Sequence, residues 1–191
     1  SMMYSQTMGP FNSYINRYLA RWAFSKMDFI VPRGQSSYQN VAGLNLKTPF
    51  ENFADSAFTL QVPEEIEDRI YSKYKNLIHE NKVVGISMNS IVQEKCELLG
   101  IDHDGAWVTL FQYLFEHDYF VLIIPHSMRI GSKSRHNNDL LVVDKIMKNF
   151  PDTKKYLVVR EPYSCKELRA VVGLMDYYIA SRFHSMISCL C

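Results

Sequence analysis

The sequence has almost no net charge and no long apolar run. It holds 21 basic and 20 acidic residues, so the formal net charge of the 191-residue chain is only +1. A nearly neutral chain has no general attraction to nucleic acid, and any site for an anion has to be built locally. No apolar run approaches the roughly 18 residues that a transmembrane helix needs, and no signal-peptide pattern is present.

The cysteines are too few and too irregularly spaced for a disulfide framework or a zinc site. They are Cys96, Cys165, Cys189 and Cys191, without a Cys-x-x-Cys pair. This usage is typical of reduced thiols in a cytoplasmic protein. The sequence also lacks a metal-ligand cluster, a Walker loop and a Gly-x-Gly-x-x-Gly fingerprint. We therefore expect no metal ion, and nucleotide cofactors are disfavoured.

What is present is a hydrophobic fraction of 47% with 13% aromatic residues, the composition of a packed globular protein. Beyond residue 82, short β-prone runs alternate with helical patterns. We predict strands near 83–88, 119–124, 156–159 and 177–181, and helices over 92–99, 106–117, 139–150 and 164–175. This alternation indicates an α/β fold with a parallel sheet covered on both faces.

The first part of the chain follows a similar pattern. Residues 2–8 are strand-like and end at Gly9-Pro10, and residues 28–33 form an apolar run of the kind buried in parallel sheets. Between them we predict a helix, capped by Asn12 or Ser13, with Ile15, Leu19, Trp22 and Ala23 on one face.

Pro63 marks a domain boundary, which divides the chain into 1–62 and 63–191. The stretch from Glu64 to Asn81 carries Glu64, Glu65 and Glu67 in its first turns, where they suit the helix dipole. This pattern predicts a charged, exposed helix that could link domains.

The most informative stretch closes the chain. Ser164 and Glu167 form a capping-box pattern at the start of a helix, and a strand over 177–181 follows. Arg182 and His184 are thus expected at the carboxyl end of this strand, where α/β sheets place ligands, with Phe183 facing the core. A helix N-terminus, a guanidinium and an imidazole there would suit an anion. The simpler alternative is a salt bridge in a surface turn.

Two further strand ends carry similar chemistry. Arg33 ends a strand before the serine-rich turn at Ser36-Ser37, and His126 follows the apolar run that ends at Pro125. A basic loop over 128–136 comes next, and it either covers a ligand or is simply solvated. Asp55 is as well explained by a helix cap or turn as by a functional role.

Five segments together resemble the polysaccharide pyruvyl transferase family, in the family's order. They are Ser5-Gln-Thr-Met-Gly9-Pro10-Phe11, Val31-Pro-Arg33-Gly-Gln-Ser36-Ser37, Ala54-Asp55-Ser-Ala-Phe58, Ile124-Pro125-His126-Ser127 and Arg182-Phe-His184. The acidic positions usual after the Pro-His-Ser motif are matched only in part, by Asn138-Asp139.

The resemblance implies a GT-B-like architecture of two Rossmann-like halves facing a cleft. Residues 1–62 would be the tail of the first half and 63–191 most of the second, incomplete at its C-terminus. We expect the chain to be a fragment cut at both ends and inactive by itself.

The activity implied by the resemblance is transfer of pyruvate from phosphoenolpyruvate to a sugar, giving a ketal on a polysaccharide or glycan precursor. His184 would be the general acid or base, and Arg33 and Arg182 would clamp the donor across the cleft. His126, Ser37 and Gly9 would complete substrate binding, with no metal or other cofactor. The partners would be phosphoenolpyruvate and a glycan or glycan-lipid acceptor.

Two alternatives remain open at this stage. One is a GT-B glycosyltransferase that uses a nucleotide sugar, because the same architecture hosts both activities. The other is a non-catalytic relative that binds a glycan or another anion. The sequence does not identify the acceptor sugar, the linkage or the oligomeric state.

Overall fold

The computed structural model describes residues 1–129 and 131–190. The chain divides into two compact units, residues 1–59 and 60–191. Both contain parallel strands connected through helices, so the protein belongs to the α/β class, as predicted.

The first unit is built on two strands. Its elements are β1 (Met2–Gln6), α1 (Tyr14–Phe24), β2 (Phe29–Pro32), α2 (Gln35–Ala42) and a 3-10 helix (Ser56–Thr59). Strands β1 and β2 pair in parallel, with Met2 opposite Phe29. The apolar run of β2 places Ile30 at the centre of a core that also holds Met8, Phe24, Val41 and Leu44.

Helix α1 begins where the sequence predicts, because the Ser13 side chain accepts a hydrogen bond from the Asn16 amide at 3.1 Å. Most of the face that the sequence predicts to be buried is exposed instead, since Ile15, Leu19 and Trp22 are 53–69% exposed. The side of α1 that packs on the core carries smaller residues together with Phe24. Ala23, the fourth residue of the predicted face, does pack against this core. The 3.6-residue period therefore located the helix correctly, but only one edge of the predicted face is on the core side.

Ten elements occur among the described residues of the second unit. They are α3 (Glu64–Glu80), β3 (Lys82–Ser87), α4 (Ser90–Leu98), α5 (His103–Glu116), β4 (Tyr119–Ile123), α6 (Leu140–Met147), β5 (Tyr156–Val158), α7 (Cys165–Val172), β6 (Tyr177–Ala180) and α8 (Phe183–Leu190). The four strands form one sheet in the order β5-β4-β3-β6, and all neighbours are parallel. The predicted four-stranded parallel sheet is confirmed.

Alternate residues of the central strands feed two separate cores. Val84 and Ile86 of β3 point to a core that includes Phe111 of α5 and Val142 of α6. Val83 points to the opposite core, formed largely by α3 and α7. Because successive strand residues face opposite sides, a strand covered by helices on both faces has to be apolar throughout.

The helix from Glu64 to Glu80 forms as predicted and is mostly exposed, but one side of it is buried. It belongs to the second unit and packs on α7, with Ile70 and Tyr74 buried in the core. These two residues are four positions apart, on one helix face, while the charged residues that dominate the sequence cover the other. The high charge of the stretch concealed this short buried stripe.

Three of the cysteines, Cys96, Cys165 and Cys189, are free thiols, and Cys191 lies outside the described residues. Across the part of the chain that the structure describes, every helix is too short or too polar to cross a membrane.

Candidate functional site

Chemistry-bearing residues gather at the carboxyl edge of the four-stranded sheet. Strands β3, β4 and β6 are parallel neighbours, so the loops that leave Ser87, Ile123 and Ala180 start at the same edge. The loops after β4 and β6 carry Ser127 and Arg182, and Ser90 begins α4 shortly after β3. All three residues bond to one carboxylate, that of Asp139.

Asp139 is fully buried and accepts four hydrogen bonds. Arg182 donates from Nε to Oδ2 at 2.6 Å and from Nη2 to Oδ1 at 2.7 Å, which is a bidentate pair. The backbone amides of Ser90 and Ser127 donate to Oδ1 at 3.2 Å and to Oδ2 at 3.0 Å. The salt bridge that the simpler alternative proposed for Arg182 is thus present, but it is buried rather than at the surface.

Sequence reasoning did not place Asp139 among the site residues. An Asp at the start of a predicted helix is normally explained as a cap, yet its side chain makes no capping bond to α6. The available signal was its position a dozen residues after the His126 motif, at the acidic positions of the family pattern.

His126 lies beside this pair and is largely buried. Its Nε2 is 3.1 Å from the Tyr178 hydroxyl, which is also 2.6 Å from the Ser185 hydroxyl. Burial lowers the pKa of His126 to about 4, assisted by the positive charges of Arg182 and His184 and opposed by Asp139. Burial likewise raises the pKa of Tyr178 to about 12. At neutral pH the imidazole and the phenol are therefore both uncharged.

His184 does not end a strand, which corrects the sequence prediction. Strand β6 stops at Ala180, and His184 is the second residue of α8. Phe183 is 50% exposed instead of facing the core. Consecutive helical residues are turned by about 100° and not to opposite sides, so Phe183 and His184 both lie at the surface with their rings 5.5 Å apart. His184 still lies at this edge, because the hydroxyl of its neighbour Ser185 is bonded to the same Tyr178 hydroxyl that contacts His126.

The first unit holds a second strand-end arginine, which is paired in a comparable way. Arg33 follows β2, and its Nη1 is 2.5 Å from Oδ2 of Asp55, which is only 6% exposed. Its Nη2 donates to the Thr7 hydroxyl at 2.6 Å. Asp55 also accepts from the Ala57 amide at 2.8 Å, so it is a turn former and an ion-pair partner at once.

Gly9 and Ser37 have clear structural tasks in the same unit. Gly9 has a φ of +83°, and a Cβ there would lie 2.6 Å from the Asn40 side chain, so a larger residue would not fit. The Ser37 hydroxyl is buried and accepts from the Met8 amide at 3.1 Å. Their substrate-binding roles stay predictions.

The basic loop after His126 is anchored and not simply solvated. Arg135 pairs with Glu97 of α4 at 2.5 Å, and the Asn138 side chain donates to the Ser132 carbonyl at 2.8 Å. Ile130 lies outside the described residues. Whether this loop covers a ligand stays a prediction.

No group of three or more His, Cys, Asp and Glu side chains suited to a metal ion occurs within residues 1–129 and 131–190. The described edge carries a guanidinium, that of Arg182, and an imidazole, that of His126. Together, fold and site define an α/β protein in which an arginine that follows a parallel strand pairs with a buried aspartate in each unit.

The particular family follows from comparison with known proteins. The model of the polysaccharide pyruvyl transferase family matches residues 1–191, the whole chain. The chain therefore belongs to the polysaccharide pyruvyl transferase family, a family of transferases. Comparison with curated proteins and with solved structures gave no match.

Proposed function

We propose that this protein transfers a pyruvyl group from phosphoenolpyruvate to a sugar of a polysaccharide or glycan precursor, forming a cyclic ketal. The observation that carries the proposal is the grouping of Arg182, His126 and His184 at one sheet edge, in a chain of this family. Phosphoenolpyruvate carries a phosphate and a carboxylate, so its site needs cations and hydrogen-bond donors.

The proposed reaction has two stages. A general acid delivers a proton to the methylene carbon of the enol, and a sugar hydroxyl attacks the neighbouring carbon, which bears the phosphate. A second hydroxyl of the same sugar then displaces phosphate, which closes the ketal ring and releases inorganic phosphate. Both stages move protons, so they require groups that titrate near neutral pH.

We assign the proton transfers to His184, because it is an exposed histidine at this edge and an imidazole can both donate and accept a proton. His126 has a lowered pKa and is neutral at pH 7, so it suits a hydrogen-bonding role better than that of a cationic acid. Arg182 binds one anionic group of the donor. Arg33, Ser37 and Gly9 of the first unit contribute to substrate binding, and the reaction uses no metal or other cofactor.

The architecture we propose is GT-B-like, with each unit part of one Rossmann-like half. Its support is the repeated construction of the two units, in each of which an arginine that follows a parallel strand pairs with a buried aspartate. The donor assignment, the ketal product and this architecture are proposals that rest on the family membership.

The test is a transfer assay on the protein at its natural length, with phosphoenolpyruvate and a panel of glycan acceptors. The expected result is acceptor-dependent release of phosphate and a product with the mass of a pyruvate ketal. His184→Ala should lower kcat on the order of 100-fold or more while donor affinity changes little. His117→Asn, at an exposed histidine that caps the end of α5 just before the start of β4, at the opposite edge of the sheet, is the matched control.

Three results would change the assignment. Near-normal turnover by His184→Ala would move the acid–base role to His126. Tight binding of a nucleoside diphosphate without binding of phosphoenolpyruvate would favour a nucleotide-sugar glycosyltransferase. Binding of phosphoenolpyruvate without turnover on any acceptor would favour a non-catalytic relative.

A further inference from the structure

The Asp139 carboxylate is saturated with hydrogen bonds. A carboxylate has about four lone-pair positions, and Asp139 uses them on Arg182 Nε, Arg182 Nη2 and two backbone amides. Its side chain is fully buried. With no lone pair left for a substrate or a proton, Asp139 is not suited to act as a base or as a ligand itself.

The geometry of the pair leaves a defined part of Arg182 available. A guanidinium has five N–H donors in one plane. Asp139 takes the side edge, formed by Nε and Nη2. Among the described residues, Arg182 Nη1 makes no hydrogen bond, and one Nη2 hydrogen also remains. Together these form the end edge of the guanidinium, which matches two oxygens of a phosphate or carboxylate.

The backbone bonds give Asp139 a fixed position. Its two oxygens hold the amides of Ser90 and Ser127, and its own amide donates to the Ser127 carbonyl at 2.7 Å. The Ser90 hydroxyl donates to the carbonyl of Asn138 at 3.0 Å. Hydrogen bonds thus hold the carboxylate against the segments that follow β3 and β4. The carboxylate in turn fixes the position of Arg182, which follows β6.

We propose that Asp139 is a positioning residue, which holds the Arg182 guanidinium by its side edge so that the end edge binds the donor anion. This inference rests on the proposed function for the identity of that anion. It assigns to Asp139 an effect on donor affinity that acts only through Arg182. An aspartate with a purely structural role would stabilise the fold without such a dependence.

The test is a double-mutant cycle on donor binding, measured by calorimetry with phosphoenolpyruvate and, in parallel, with inorganic phosphate. Asp139→Asn keeps the size and shape of the side chain but replaces one carboxylate oxygen with an NH₂ group. This group cannot accept a hydrogen bond from the guanidinium, so the bidentate pair is lost. We expect donor affinity to fall about 10-fold or more, the worth of a charge-assisted hydrogen bond. In an Arg182→Gln background, Asp139→Asn should cause no further loss.

The matched control is Asp144→Asn on α6, whose partner Arg160 forms an exposed pair with it. This variant should leave donor affinity and kcat unchanged. If Asp139→Asn does not fold, Arg182→Lys serves instead. Lysine keeps the charge but cannot present one edge to Asp139 and another to an anion, so it should lose nearly as much affinity as Arg182→Gln.

Each outcome decides the question. Unchanged affinity in Asp139→Asn, or a loss that persists in full in the Arg182→Gln background, overturns the inference, as does wild-type affinity in Arg182→Lys. If the wild type binds phosphate but not phosphoenolpyruvate, the proposed donor is refuted. The double-mutant cycle measured with phosphate then tests the role of Asp139 separately. Binding of neither anion overturns both.

Discussion

The hydroxyl of Tyr178 lies 3.1 Å from Nε2 of His126, although the two residues are 52 positions apart in the chain. Tyr178 belongs to β6, whose neighbour β3 places Gly85 directly opposite it. A Cβ on Gly85 would lie only 2.5 Å from Cδ2 of the Tyr178 ring. Because Gly85 has no side chain, the Tyr178 ring can pack directly against it. In this position the Tyr178 hydroxyl reaches His126.

Gly85→Ala should displace the Tyr178 ring and destabilise the protein by about 1–3 kcal/mol, the usual cost of overpacking a core. Urea unfolding would measure this. Gly173→Ala is the control, because a Cβ there meets its nearest atom at an ordinary 3.5 Å. Equal stabilities of the two variants would contradict the packing described for Tyr178.

Protonation of His126 should make stability depend on pH between its two pKa values. The folded-state pKa is about 4 and the ordinary value is 6.5, so in this range the unfolded chain binds a proton that the folded protein does not. The free energy of unfolding should be fully retained above pH 6.5 and fall towards pH 4, by up to about 3 kcal/mol.

Urea unfolding at pH 7 and pH 5 would detect this fall. His126→Asn should remove the His126 contribution to it, whereas the exposed control His136→Asn should keep it. An NMR titration of the His126 imidazole gives a direct check, and a midpoint near 6.5 would contradict the burial argument.

Arg182→Ala should destabilise the fold strongly, by about 3–5 kcal/mol, because it leaves the fully buried Asp139 carboxylate without its cation. Arg160→Ala removes the partner of an exposed aspartate, Asp144, and should cost no more than about 1 kcal/mol. Chemical denaturation of both variants tests the difference. Similar losses would mean that Asp139 is better solvated than its burial implies.

Ser164→Ala should destabilise the second unit by about 1 kcal/mol, since it removes the side chain that bonds the Glu167 amide in a complete capping box. Ser72→Ala, at an exposed position inside α3, should be neutral or slightly stabilising because alanine has the higher helix propensity. Thermal unfolding followed by circular dichroism compares the two. A neutral Ser164→Ala would show that tertiary packing alone holds α7.

Much of the local structure could be predicted because its causes are local. The capping box at Ser164 and the strands near 83–88 and 119–124 arise from side chains within a few residues of each other. The prediction for Phe183 and His184 was wrong because it extended β6 beyond Ala180, whereas α8 already begins at Phe183. Boundaries of short elements depend on which backbone groups find partners, and a pattern of apolar residues does not report that.

The sequence by itself determined the α/β class, the parallel sheet of the second unit and the family, since periodicity and motif order lie along the chain. Only the tertiary structure decided which residues are partners. Arg182 pairs with Asp139, and Arg33 pairs with Asp55. His126 contacts the hydroxyl of Tyr178. These partners come from segments 22 to 52 residues apart. A parallel sheet brings such segments to one edge, and a buried charge or polar group is stable only where that edge supplies its partner.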